Sequence, residues 1–305
     1  MAFVQRLIQV QFVLANGSFG NTPVARQQEG LNTLSLNTAD KPGLRITTKV
    51  VNPGGETAPT LDMAIYGMTL SQMNQLSTLG VKIQLLPTNT VTVLAGDKES
   101  GMTVVFIGTV TGAFADMTSA PDVAFRVTGQ TAINGQVDQA DPVSFNGAVK
   151  IETILKPLAE NLGLKFENNN VNKVLSNPYC SSSTFDQIAQ ICLAADVDWT
   201  IEKGVLAIWP RNRSRDTTSI PLISRKSIMV GYPTYTAEGI LVKALFTPGI
   251  DFGKRLKVES DLVGASNEWA TNKIELDLDS NVNHGKWFMT LSCIDPNYPE
   301  TVPSG

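Results

Sequence analysis

The side chains able to do chemistry are few and scattered. The chain has one histidine, His284, within Asn281-Val-Asn-His-Gly285, a turn between two predicted strands. A general base needs an aligned partner, and no second histidine or cysteine cluster accompanies this one, so it reads as a turn residue. The three cysteines, Cys180, Cys192 and Cys293, are widely spaced and form no C-x-x-C pair for zinc or redox work. A glycosidase needs two carboxylates about 5–10 Å apart across a cleft, and no acidic pair here is flanked by the aromatic residues that sugar binding favours. The glycines at Gly54-Gly55 and from Gly96 to Gly108 lack the Gly-Lys-Ser/Thr ending of a phosphate loop, and no dinucleotide fingerprint leads from strand to helix. The sequence therefore offers no catalytic, cofactor-binding or metal residue, and it predicts a protein that is not an enzyme and has no cofactor.

Two charge patterns remain. Glu275, Asp277 and Asp279 alternate with Ile274, Leu276 and Leu278, so a strand here puts all three acids on one face. That face is either a solvated outer surface or an acidic wall lining a channel, where it would repel the phosphates of passing DNA. Arg211, Arg213 and Arg215 alternate with Asn212 and Ser214. They read as a solvated linker or an intersubunit ion pair, with contact to nucleic acid or an acidic partner as the other reading. The four tryptophans, Trp199, Trp209, Trp269 and Trp287, are expected to fill cores or interfaces.

The elements that position these groups follow from composition and periodicity. At 305 residues the chain is long for one core, and two or three domains are expected. Hydrophobic content of 42% with only 17% charge, and abundant Gly, Asn, Ser and Thr, favours a β-rich globular protein. A net charge of -4 gives no overall basic field for nucleic acid. Polar residues at Gln5, Arg6, Gln9 and Gln11 interrupt the first apolar run, which reads as neither signal peptide nor membrane span.

Period-two alternation predicts strands at 4–14, 44–50, 60–66, 90–96, 102–115 and 122–130, with turns at Pro53-Gly54-Gly55 and Asn134-Gly135. Val4, Ile8, Val10, Phe12 and Leu14 form the buried set of the first strand. One helix interrupts the series, capped by Thr69 or Ser71, with Leu70, Met73 and Leu76 on one face and Gly80 after its end. Residues 1–133 thus fit a small antiparallel barrel or sandwich with a flanking helix.

From 134 to 216 the pattern changes to a small α+β domain. Val149, Ile151, Ile154, Leu155, Leu158 and Leu162 recur at helical spacing before Gly163, with Pro157 expected to kink or shorten that helix. Ser183 caps a second helix with Asp186 three residues on, and Phe185, Ile188, Ala189 and Cys192 form its stripe. Trp199–Ile201 and Val205–Trp209 flank a Glu-Lys-Gly turn as a hairpin. Strands return from Ile220 to Cys293, and a tail follows with Pro296, Pro299 and Pro303.

Within this last part, Gly231 to Ser260 carries Gly-x-Pro-x-x-Thr-x-x-Gly-Ile, then Leu-Phe-x-Pro-x-Ile-x-x-Gly, then an alternating strand ending in Glu259-Ser260. Upstream stand Ala64-Ile-Tyr-Gly-Met, Val91-Thr-Val-Leu-Ala-Gly96, Phe106-Ile-Gly-Thr-Val110, Pro121-Asp122 and Trp209-Pro210. In this order they resemble the phage baseplate hub proteins of contractile-tailed phages and related injection machines, over nearly the whole chain.

The resemblance implies two tail-tube-like antiparallel β-barrels, 1–133 and 217–305, flanking the α+β domain at 134–216. It implies a homotrimer whose six barrels meet a sixfold tail tube or tail-terminal ring on one side and a threefold spike on the other, among other baseplate proteins. DNA would pass only in transit, along Glu275, Asp277 and Asp279, and the protein would sit in the virion after assembly in the host cytoplasm, with no membrane contact. The chain ends soon after its last barrel, so penetration would rest with separate proteins. Two rival classes share the composition. A glycan-binding, adhesin-like β protein would respond in a glycan screen, and a cell-wall hydrolase would clear peptidoglycan in a zymogram.

Overall fold

The computed structural model describes residues 5–15, 32–40, 43–55, 57–77, 89–137, 140–211 and 213–296. Val4, Gly80, Pro299 and Pro303, named above, lie outside them. The chain is mostly β and divides into two units. Unit 1 comprises residues 1–51, 59–131 and 276–288; unit 2 comprises 52–58, 132–275 and 289–305.

Unit 1 contains β1 (Arg6–Val13), β2 (Thr33–Asn37), β3 (Arg45–Asn52), β4 (Thr60–Tyr66), α1 (Leu70–Leu76), β5 (Thr90–Asp97), β6 (Gly101–Asp116) and β7 (Ala124–Gln130). Its antiparallel order is β3-β4-β7-β6-β5-β1-β2. The alternation that predicts β1 also sets its register. Ile8, Val10 and Phe12 stand opposite Ala95, Val93 and Val91, and all six are fully buried. Register shifts at Val93/Leu94 and Val110/Gly112 bend the long β6 against its neighbours.

A capping box starts α1: Thr69 Oγ1 accepts from the Gln72 amide at 3.3 Å, and Gln72 Oε1 accepts from the Thr69 amide at 3.0 Å. Met73 and Leu76 are buried, but Leu70 is 54% exposed and does not join that face. Leu70 is the first residue of this two-turn helix and points to solvent.

Unit 2 begins with α2 (Ile133–Val137), β8 (Val143–Ser144), β9 (Ala148–Lys150), α3 (Ile151–Asn161), β10 (Lys165–Asn168), β11 (Val174–Ser176), β12 (Tyr179–Cys180), α4 (Thr184–Ala195), β13 (Val197–Glu202) and β14 (Val205–Pro210). The expected Asn134-Gly135 turn lies inside α2. A Cβ on Gly135 would come within 2.3 Å of Leu162 Cδ2, so close packing explains this glycine. Val149 belongs to β9 rather than to the helix, and Pro157 sits within α3. The helix ends in a Schellman motif: Gly163, at φ +67°, donates to Glu160 O and Leu164 donates to Ala159 O.

Helix α4 starts as expected, with Ser183 Oγ accepting from the Asp186 amide at 3.2 Å. Lys203 and Gly204 both have positive φ, the requirement of a two-residue type I′ hairpin turn between β13 and β14. Ile154, Leu155, Ile188, Ile191, Leu206 and Ile208 form the heart of one apolar core under this α+β part.

The unit continues through β15 (Leu222–Ser224), β16 (Thr234–Tyr235), β17 (Gly239–Leu245), β18 (Arg255–Glu259), β19 (Glu268–Ser280) and β20 (Trp287–Ile294). Their order is β16-β17-β20-β19-β18-β15, antiparallel except for the parallel β15/β18 pair. The last residues of β19 and the first of β20 belong to unit 1. Among the described residues no pairing joins β2 back to β3 or β15 to β16, so each sheet is open and neither closes into a barrel.

Candidate functional site

The acidic strand face is as the alternation demands. Ile274, Leu276 and Leu278 are buried, and Glu275, Asp277 and Asp279 are half-buried on the opposite side of β19. The acids are not bare. Lys273 Nζ lies 2.7 Å from Glu275 Oε1, and Lys286 Nζ lies 3.9 Å from Asp277 Oδ1. Asp279 Oδ2 accepts from the Lys286 backbone amide at 2.8 Å. These two lysines offset part of the negative charge of the face. His284 is an exposed turn residue at φ +55°.

The Arg211/Arg213/Arg215 stretch divides into three different fates. Arg211 pairs at the surface with Asp196 at 3.0 Å, and Arg213 is exposed. Arg215, expected in a solvated linker, is instead 4% exposed. It donates from Nη1 to Glu202 Oε1 at 2.6 Å and to the Phe252 carbonyl at 2.9 Å. On its other side Nε and Nη2 reach Glu167 at 3.0–3.2 Å. Its own amide donates to the Gly253 carbonyl at 2.8 Å. The fork of guanidinium donors makes this possible, since five N–H groups in one plane can hold two carboxylates and a carbonyl at once.

The network extends further within unit 2. Glu202 Oε2 accepts from Asn52 Nδ2 at 2.9 Å, and Asn52 Oδ1 accepts from the Gly54 amide at 3.1 Å. Lys203 pairs with Asp251 Oδ1, and Lys254 reaches Asp251 Oδ2 at 2.8 Å. Three cations thus face three carboxylates. Burial pushes the Glu202 carboxyl above its ordinary value, against the pull of Lys203 and Arg215. Burial also pushes Asp251 upward, but its two lysines overcome that and hold it well below the usual carboxylate range. The network ties the β13/β14 hairpin and β10 to the 251–254 turn. Each carboxylate is engaged by a cation, so the arrangement binds segments together and leaves none poised as a general base. The one sequence signal for it is a glutamate, Glu202, that follows the apolar Ile201 at the end of β13.

All four tryptophans are buried, as expected for core fillers. The three cysteines are free and buried, and burial pushes the Cys192 thiol far above its ordinary value and the Cys293 thiol up to about 12, so neither is a ready nucleophile. Among the described residues no cluster of His, Cys, Asp and Glu has the arrangement of a metal site, and no helix is long and apolar enough to cross a membrane.

A family model described as baseplate hub gp41 matches residues 64–293, from the β4 motif Ala64-Ile-Tyr-Gly to Cys293 at the end of β20. The chain belongs to the baseplate hub gp41 family. Solved structures of the same fold include the 43 kDa tail protein of prophage MuSo2 from Shewanella oneidensis, at TM-score 0.60 and 10% identity over 97% of this chain and 98% of that one. A tail protein from Neisseria meningitidis MC58 aligns at TM-score 0.62 and 11% identity, over 95% and 98%. The E. coli c3393 protein, a component of the type VI secretion system, aligns at TM-score 0.54 and 10% identity, over 84% and 74%. Identities this low show a shared fold alone. No curated protein matches the chain in sequence. Membership of this family makes the baseplate hub protein a structural component of a phage tail.

Proposed function

We propose that this hub protein forms a homotrimeric ring that joins a sixfold tail tube to a threefold spike. In this reading residues 1–133 and 217–305 act as two tube-like β domains on either side of the α+β domain at 134–216, so three chains supply six. The spike and the tail-tube or tail-terminal ring proteins are its partners, and it resides in the virion after assembly in the host cytoplasm. Glu275, Asp277 and Asp279 face the lumen. They leave a net negative wall that holds DNA weakly during ejection, and the screening length of about 8 Å at physiological salt keeps that wall effective in a narrow bore. The observation that carries the proposal is the family match over residues 64–293.

The test is mass measurement by light scattering after size exclusion, for the purified chain alone and mixed with the spike protein of the same phage. The expected species is about three times the 32.8 kDa chain mass for the chain alone, or that mass plus the mass of the spike in the mixture. A monomer in both conditions refutes the ring.

A further inference from the structure

The segment that follows β14 joins the α+β part of unit 2 to its last sheet. Between parts joined by a short linker, relative motion is the default unless their interface is large and well packed. Packing here is incomplete. A cavity of about 580 Å³ opens between the two parts, with Ala189, Leu193 and Trp209 on the α+β side and Ala237, Ala270 and Ile294 on the other. A close-packed interior leaves few voids larger than a water molecule, so apolar contact alone does not set the angle between the parts. Polar bonds do, because four consecutive residues reach to alternate sides. Ser214 Oγ accepts from Arg255 Nε at 2.8 Å, on the sheet side. Arg215 reaches both, holding Glu167 and Glu202 on one side and the Phe252 carbonyl on the other. The Asp216 amide donates to Asn169 Oδ1 at 3.0 Å and its Oδ2 accepts from Asn170 Nδ2 at 2.8 Å, on the α+β side. Thr217 Oγ1 accepts from the Arg255 amide at 3.3 Å, back on the sheet side. Lys203 adds an ion pair to Asp251 across the same joint.

We infer that residues 214–217, with the Lys203–Asp251 pair, are a lock that makes the α+β part and the last sheet of unit 2 one rigid body and holds the cavity between them open. A hinge needs a few loop residues free to absorb a change in φ and ψ. Here each of the four residues is tied, and successive ties run to different sides, so a swing of one part against the other stretches several bonds at once. Arg215 is the centre of the lock because it alone grips both parts with one planar group. A partner that grips either part meets the other in a preset position, without the cost of ordering the two on binding.

The test is pulsed electron spin resonance between nitroxide labels at Gln190→Cys on α4 and Ala237→Cys on the sheet side, both exposed positions. The three native thiols are buried, which directs labelling to the introduced pair. With the lock intact, one narrow distance distribution is expected. R215M/E202Q/K203A opens the lock without stranding a buried charge, since Lys254 still pairs with Asp251. Its distribution is expected to be about twofold broader or more, extending to shorter distances as α4 swings towards the sheet. Should that variant fail to fold by circular dichroism, E167A/K203A, which keeps the buried Arg215–Glu202 pair, carries the same expectation. The inference is overturned if the intact protein already gives a broad or two-peaked distribution, or if the folded variant keeps the narrow one.

Discussion

Replacing Arg215 with methionine keeps most of the side-chain stem but leaves Glu202 without its cation. Glu202 is 7% exposed, so the carboxylate must either stay charged and buried or take up a proton. From the ordinary value of 4.5, protonation at pH 7 costs about 3.4 kcal/mol at 1.36 kcal/mol per pH unit, and this caps the penalty. The Phe252 carbonyl also loses its donor, worth about 1 kcal/mol. Glu167, more open to water, re-solvates at little cost. The expected loss is therefore about 3–5 kcal/mol at pH 7, in the range known for breaking one partner of a buried pair. At pH 5 the cap on the Glu202 part falls to about 0.7 kcal/mol, so the total shrinks to about 1–2 kcal/mol. Adding E202Q should restore most of the loss at pH 7. Urea unfolding followed by tryptophan fluorescence suits the measurement, because Trp199, Trp209 and Trp269 all lie in unit 2. A cost below 1 kcal/mol at pH 7, or an equal cost at pH 5 and pH 7, refutes the reasoning.

Other outcomes follow from the same structure. Asp251 has a depressed carboxyl, so its stabilisation is fully present above 3.8 and is lost as pH falls below that value; D251N should flatten the acid limb of a stability-against-pH curve. Glu202 acts oppositely, since a raised carboxyl costs stability as pH climbs above 4.5, and E202Q should remove that decline. Gly54 has φ +73°, and a Cβ there would stand 1.9 Å from Phe252 Cζ; G54A should cost about 2–3 kcal/mol by thermal unfolding. Changing Glu275, Asp277 and Asp279 together to lysine breaks two surface ion pairs at no more than about 1 kcal/mol each, so the fold should survive while DNA delivery by assembled particles slows. Unchanged delivery kinetics would remove the three acids from the channel wall.

What the sequence shows of this fold is what local pattern controls. The 60–66 strand coincides with β4 because alternating burial is set by the pleat itself, and Ser183 caps α4 because its oxygen needs only a neighbour three residues on. Arg215 shows the opposite limit. Its surroundings in sequence are those of Arg211 and Arg213, and the difference arises from Glu202 and Glu167, 13 and 48 residues away, and from the turn at Phe252. Gly135 departs from the expected turn for a related reason. The glycine makes room for Leu162, a contact invisible to turn chemistry. The acid face of β19 was legible as a face, but Lys286, across the hairpin, had to be placed by the fold before its charge could be counted against Asp277.

Unit 1 is not a continuous stretch of chain, because residues 276–288 belong to it. Within it Ser280 Oγ donates to the Arg6 carbonyl at 2.8 Å, Asn281 Nδ2 donates to the carbonyls of Thr38 and Leu44, and Arg6 stacks over Trp287. On the ribosome those contacts arrive late. At about 5–20 residues per second, roughly eight to thirty seconds separate the emergence of β7 from that of the end of β19. During that interval the first seven strands exist without their last piece, and the hub protein cannot finish this unit until residue 288 has been translated. A chain terminated before residue 276 therefore carries a first unit that lacks the contacts of Ser280 and Asn281.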